Sequence, residues 1–149
     1  MSVYNKIVVA IDLSSDSQKV IDTALKVAGG DSGKIHLVHV VEPIAAAYSM
    51  DAYAININEL QQEALTIAAD NLAEIADKSS IGKDNQHTLL GSPAIEIRNL
   101  ASELEADAIV IGSHGHSGWK ILLGSTANKV LHGASCDVLT VLVGKEAKD

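Results

Sequence analysis

The segment Lys6-Ile-Val-Val-Ala-Ile-Asp12 is apolar at every interior position rather than at every second one. A strand that alternates apolar and polar has one dry face; a continuous β-branched run has two. Both faces of its sheet must then be covered by helices, which leaves few architectures. Ile35-His-Leu-Val-His-Val-Val41, Ala108 to Gly112 and Val138-Leu-Thr-Val-Leu-Val143 read as further, largely apolar strands. Gln86-His-Thr-Leu-Leu90 is a shorter one, and Glu42-Pro43 stops the second strand because proline cannot continue a central ladder.

Helical patterns fill the gaps between these runs. Ser15 with Gln18 has the form of a capping box for a helix reaching about Ala28. Val20, Ile21, Ala24, Leu25 and Ala28 form its apolar stripe, and Gly29-Gly30 ends it. Asn58 with Gln61 opens a longer helix to about Ala76, with Leu60, Ala64, Ile67, Ala68, Leu72 and Ile75 facing inward. Ser92 caps a third helix and Pro93 starts it; Ile97, Leu100, Ala101 and Leu104 point inward, and it ends near Ala106. A fourth runs from Ser125 to Gly133. Residues 43–57 show no dominant period and read as a long, partly helical excursion able to cover a site.

Strands alternating with helices imply parallel pairing through right-handed crossovers. The expectation is one α/β, doubly wound domain over residues 1–149, with no internal repeat or linker. Only 3% of residues are aromatic and none is Phe, so Val, Ile, Leu and Ala must build the core. The net charge of −8, without a basic cluster, argues against nucleic acid or an anionic membrane as partner. A lone cysteine, Cys136, excludes an internal disulfide and is expected as a buried structural thiol. The start of the chain lacks a signal-peptide h-region and no run approaches a membrane span, so a cytoplasmic location is expected.

Doubly wound sheets bind ligands at the carboxyl ends of strands, where strand order reverses. The chain leaves its fourth strand through Gly112-Ser-His-Gly115-His-Ser-Gly-Trp-Lys-Ile-Leu-Leu-Gly124-Ser125-Thr126. Its glycines let a ligand approach the main chain, and Ser125 is a good N-cap for the helix that follows. A glycine-rich loop ending at a helix N-terminus suits an anion, above all a phosphate. If the first and fourth strands flank the reversal, the Asp12 loop faces this one across a crevice. Asp12 would then accept hydrogen bonds from a ribose or a base.

Five segments together resemble the universal stress protein family, over essentially the whole chain. They are Ile7 to Ser14, Val38 to Val41, Ala106 to Gly115, Leu122 to Thr126, and Ala134 to Val141. The resemblance implies a sheet in the order 3-2-1-4-5 and a homodimer that pairs the last strand across a two-fold axis. Some members bind ATP, and others of similar sequence bind none. Nucleotide-binding members carry Gly, two residues, Gly, nine residues, then Gly with Ser or Thr. Gly112, Gly115 and Gly124-Ser125 match, but only eight residues, His116 to Leu123, lie between. That shorter spacing is found in the branch without bound nucleotide.

Carried over by position, Ala10, Asp12 and Val40 would line the adenosine side, with the Val40 backbone toward adenine. Ile111 and Gly112 would border the ribose, and Gly115, Gly124, Ser125 and Thr126 would meet the phosphates. Any Mg²⁺ would ride on the phosphates rather than in a protein cage. The function implied is a stress-response sensor or regulator that binds adenine nucleotide, not an enzyme. The alternative is a nucleotide-independent dimeric interaction protein with an unidentified regulatory protein as partner.

Other motifs have plainer explanations. His114 and His116 lack a third ligand nearby in sequence, so no zinc site is expected. Their spacing is not that of an HxGH nucleotidyltransferase. His36 and His39 are expected to be structural, and helix capping accounts for Ser14, Ser15 and Ser17. The chain has no GxSxG elbow and no P-loop.

Overall fold

The computed structural model describes residues 3–44, 57–113 and 125–143. β1 (Ile7–Ala10) leads to α1 (Ser17–Val27), and β2 (Ile35–Val41) leads to α2 (Ile57–Lys78). β3 (Gln86–Leu90), α3 (Pro93–Leu104), β4 (Ala108–Gly112), α4 (Ser125–Gly133) and β5 (Asp137–Val141) follow. All strand pairs are parallel, and the sheet runs β3-β2-β1-β4-β5. The order expected from the resemblance is therefore the one observed.

β1 is the central strand, with Ile7 set against Ile35 of β2 and against Ala108 of β4. Ile7, Val8 and Val9 are wholly inaccessible, as a strand with two covered faces requires. Alternate residues serve opposite layers. Ile7, Val9, Leu37 and Val110 pack with Val20, Ile21 and Ala24 of α1 and Leu72 and Ala76 of α2. Val8, Val38, Ile109 and Ile111 pack with Ile97 and Leu100 of α3 and Ala127 and Val130 of α4. Each layer buries on the order of ten aliphatic side chains, at about 1.5–3 kcal/mol apiece, which replaces the missing aromatics.

Three helices end alike. Beyond α1 the Gly30 N–H reaches back to the Leu25 carbonyl at 2.8 Å, with Gly29 at φ +72°. Ile81 does the same to Ala76 past α2, and Ala106 to Ala101 past α3. There Ser80 and Glu105 take the left-handed position that glycine occupies in α1.

The helix starts depart from expectation. α1 begins at Ser17 with Asp16 as N-cap, and no side chain caps it. Gln18 instead donates to Asp22 and to Ser79 Oγ, which tie α1 to the end of α2. Gln61 likewise accepts the Ile44 N–H at 2.9 Å. Along α2 only Ala68, Leu72 and Ala76 are buried, while Leu60 and Ile67 are more than half exposed. The helical period continues there past the part of α2 that lies on the sheet. β1 covers Ile7–Ala10 of the expected Lys6–Asp12, and β5 spans 137–141 rather than 138–143. Most of the 43–57 excursion lies outside the described residues.

Candidate functional site

The sheet reverses its strand order between β1 and β4. From the carboxyl end of β1 the chain turns to α1 on one face; α4, which follows β4, lies on the other. Neighbouring strands thus feed opposite layers, and a crevice opens between them, as doubly wound sheets require. Its volume is about 400 Å³, within the range of small-molecule pockets.

The expected site residues converge on this crevice. Ala10, Asp12, Val40, Ile111, Gly112, Ser125 and Thr126 all line it. Gly115 and Gly124 lie outside the described residues, as do His114, His116 and Trp119. Ala10, Val40, Ile111 and Ile97 give an apolar wall, drawn from three adjacent strands and α3. Gly112 holds the floor open. A Cβ there would stand 3.1 Å from Val143 Cγ2 and 3.5 Å from Val20 Cγ2.

The polar groups of the lining are of two kinds. Ser125 and Thr126 begin α4, where backbone N–H groups and the helix dipole favour negative charge. The carboxylates of Asp12, Asp16 and Glu42 are the other kind. Asp12 Oδ1 accepts the Ser14 N–H at 3.0 Å, and Ser14 Oγ accepts the Asp16 N–H at 3.2 Å. So Asp12 does shape its own turn, with one carboxylate oxygen; Oδ2 makes no bond to a described residue. Leu13 between them has φ +65°, an uncommon conformation for a branched side chain and a mark of functional loops.

Ser17 was explained by capping in the sequence, and the structure removes that explanation. The residue is 2% exposed, lines the crevice, and its hydroxyl has no hydrogen-bond partner among the described residues. A buried hydroxyl in that state costs about 1–3 kcal/mol. Sequence carries no signal for such an orphan, because the absence of a partner is a property of three dimensions.

The histidines of β2 are partnered. His39 Nδ1 lies 2.9 Å from the Ile11 carbonyl, which only accepts, so Nδ1 carries the proton and secures the end of β1. His36 Nδ1 lies 3.1 Å from Nε2 of His87 on β3. Cys136 is half-buried, and burial, then the charges of Asp137 and Asp107, push its thiol up, away from the nucleophilic thiolate. Among the described residues no three His, Cys, Asp or Glu side chains converge on a metal position, and no helix is long and apolar enough to cross a membrane.

The Universal stress protein family model matches residues 3–141. Universal stress protein A homolog 1 of Coxiella burnetii is 42% identical over 139 residues, spanning 93% of this chain and 96% of that relative. Among solved structures, the universal stress protein UspA from Lactobacillus plantarum superposes with a TM-score of 0.75 at 22% identity, covering 94% of this chain and 99% of that one. A universal stress protein in complex with cAMP is 26% identical with a TM-score of 0.62, over 95% and 98% of the two chains. On the family match and the Coxiella relative together, the chain belongs to the universal stress protein family.

Proposed function

We propose that the protein is a cytoplasmic stress-response sensor or regulator whose crevice binds an adenine nucleotide, ATP in the first instance, without turning it over. The observation that carries this reading is the crevice itself. It combines an apolar wall with carboxylates suited to hydroxyl donors and a helix start suited to phosphate. A relative of the same fold binds cAMP, which shares the adenosine moiety.

In this reading Ala10 and Val40 line the adenosine side, Asp12 accepts from the sugar or the base, and Ile111 and Gly112 border the ribose. Ser125 and Thr126, with Gly115 and Gly124, receive the phosphates. The described lining contains neither Lys nor Arg. Phosphate charge would thus be met by N–H groups, hydroxyls and the Mg²⁺ that a triphosphate carries. The chain of residues 1–149 acts as one unit and works as a homodimer through β5. That edge strand leaves Val138, Leu139 and Thr140 half-buried, and Leu142 just beyond it 42% exposed.

Titration of nucleotide-stripped protein with Mg-ATP by calorimetry tests the reading. Saturable binding near one per subunit is expected. An absence of heat, with no thermal protection, moves the chain to the nucleotide-independent interaction branch that its eight-residue spacing resembles. Sedimentation at micromolar protein tests the dimer, and a monomer there contradicts the β5 pairing.

A further inference from the structure

Ser17 opens α1 on the wall of the crevice, and nothing in the helix start requires its hydroxyl. The Ser17 N–H already bonds the Ser14 carbonyl at 3.0 Å, and Ser14 Oγ takes the Asp16 N–H. Alanine would begin the helix as well. The hydroxyl is nevertheless buried with no partner, a standing penalty in the ligand-free protein. Its surroundings decide what could relieve it. Asp12 and Asp16 line the same crevice, and carboxylates repel phosphate while accepting from hydroxyls. Ser125 and Thr126, at the start of α4, line it too and suit an anion. A ligand that meets both sets carries an anion for the helix start and hydroxyls for the carboxylates.

We propose that Ser17 is a binding residue for the sugar hydroxyls of the nucleotide, acting beside Asp12. This rests on the nucleotide reading above. From the crevice wall that Ser17 lines, the hydroxyl donates to one sugar oxygen and accepts from another. The same oxygen then weakens the empty protein and strengthens the filled one. A serine that merely starts a helix does not act with opposite signs on the two states.

The test uses the full chain as Ser17→Ala and as Ser17→Cys, with folding verified by circular dichroism. Thermal melting is read without ligand, and calorimetry with Mg-ATP and its 2′-deoxy and 3′-deoxy forms. Both variants should melt above the wild-type temperature when empty and bind Mg-ATP about three- to tenfold more weakly. The wild-type preference for the ribose form over at least one deoxy form should shrink in both. Equal Mg-ATP affinity in wild type and variants overturns the role of Ser17 and leaves the crevice assignment standing. A lowered melting temperature with deoxy discrimination intact marks the hydroxyl as structural and also overturns it. A wild-type protein that binds no Mg-ATP overturns the nucleotide reading, and the role of Ser17 falls with it.

Discussion

The two ends of the sheet treat their polar groups in opposite ways. At the amino ends of the strands, Asp107 Oδ2 accepts both the Asn5 and Lys6 N–H groups, at 2.8 and 2.9 Å, and the Asp107 N–H returns to the Lys6 carbonyl. Tyr4 donates to Asp137, so the starts of β1, β4 and β5 are laced together, and Asn85 Nδ2 donates to the Ile35 carbonyl, which joins the starts of β3 and β2. At the carboxyl ends the crevice stays open, Leu13 takes a left-handed backbone, and Ser17 keeps an orphan hydroxyl. Yet the central strands β1 and β4 are buried along their length, up to Ala10 and Ile111. The difference is not one of core packing; it lies in whether polar groups are satisfied by the protein or left for something else. One end is closed by the protein's own hydrogen bonds, and the other leaves polar groups facing the crevice.

The comparison breaks most readily at Gly112. Gly112→Val puts a branched side chain where even a Cβ would sit 3.1 Å from Val143, so it both overpacks the floor and fills the crevice. Loss of detectable Mg-ATP binding is expected, with about 1–3 kcal/mol of stability lost in urea melts. Retained affinity would detach the crevice from nucleotide binding. At the other end, Asp107→Ala removes two bonds to a charged acceptor. Because Asp107 is exposed and water can replace part of the loss, about 1–2 kcal/mol is expected. Mg-ATP affinity should stay unchanged, since no residue of this latch lines the crevice. A parallel fall in affinity would mean that the two ends are coupled after all.

How much of this was legible beforehand follows the same division. β2, β3 and β4 begin and end where their apolar runs do, because a buried strand needs nothing beyond its own residues to declare itself. The strand order came from the resemblance, as pattern alone fixes parallel pairing but not neighbours. Helix starts were less readable. Gln18 and Gln61 each had the local partner of a capping box, and each found a distant one instead, at Ser79 and Ile44. In the site, Ala10, Asp12, Val40, Ile111, Gly112, Ser125 and Thr126 meet because strand ends and a helix start are positions that a sequence marks. Ser17 and the pairing of His36 with His87 were not marked, since each depends on what lies across a packed boundary.

That histidine pair supplies the smallest effect and a sharper form of the contrast. The rings stack with centroids 5.3 Å apart and share one hydrogen bond, which needs one nitrogen to donate and the other to accept. Burial holds both below the usual value of 6.5; for His36 the charges of His87 and Lys6 add to it. With folded pKa values below unfolded ones, the unfolded chain binds more protons over the interval between them. The contribution of the pair is therefore complete above the unfolded value and is lost as pH falls through it toward the folded values. Below those it changes no further. Melting temperature should decline as pH drops from about 7.5 to about 5.5, and His87→Gln should flatten that decline. Neither His36 nor His87 lines the crevice, so the same substitution should leave the pH dependence of Mg-ATP binding as it was. A melting profile that His87→Gln does not change would show that the pH response arises elsewhere, and the amino end would lose its claim to be the site of stability.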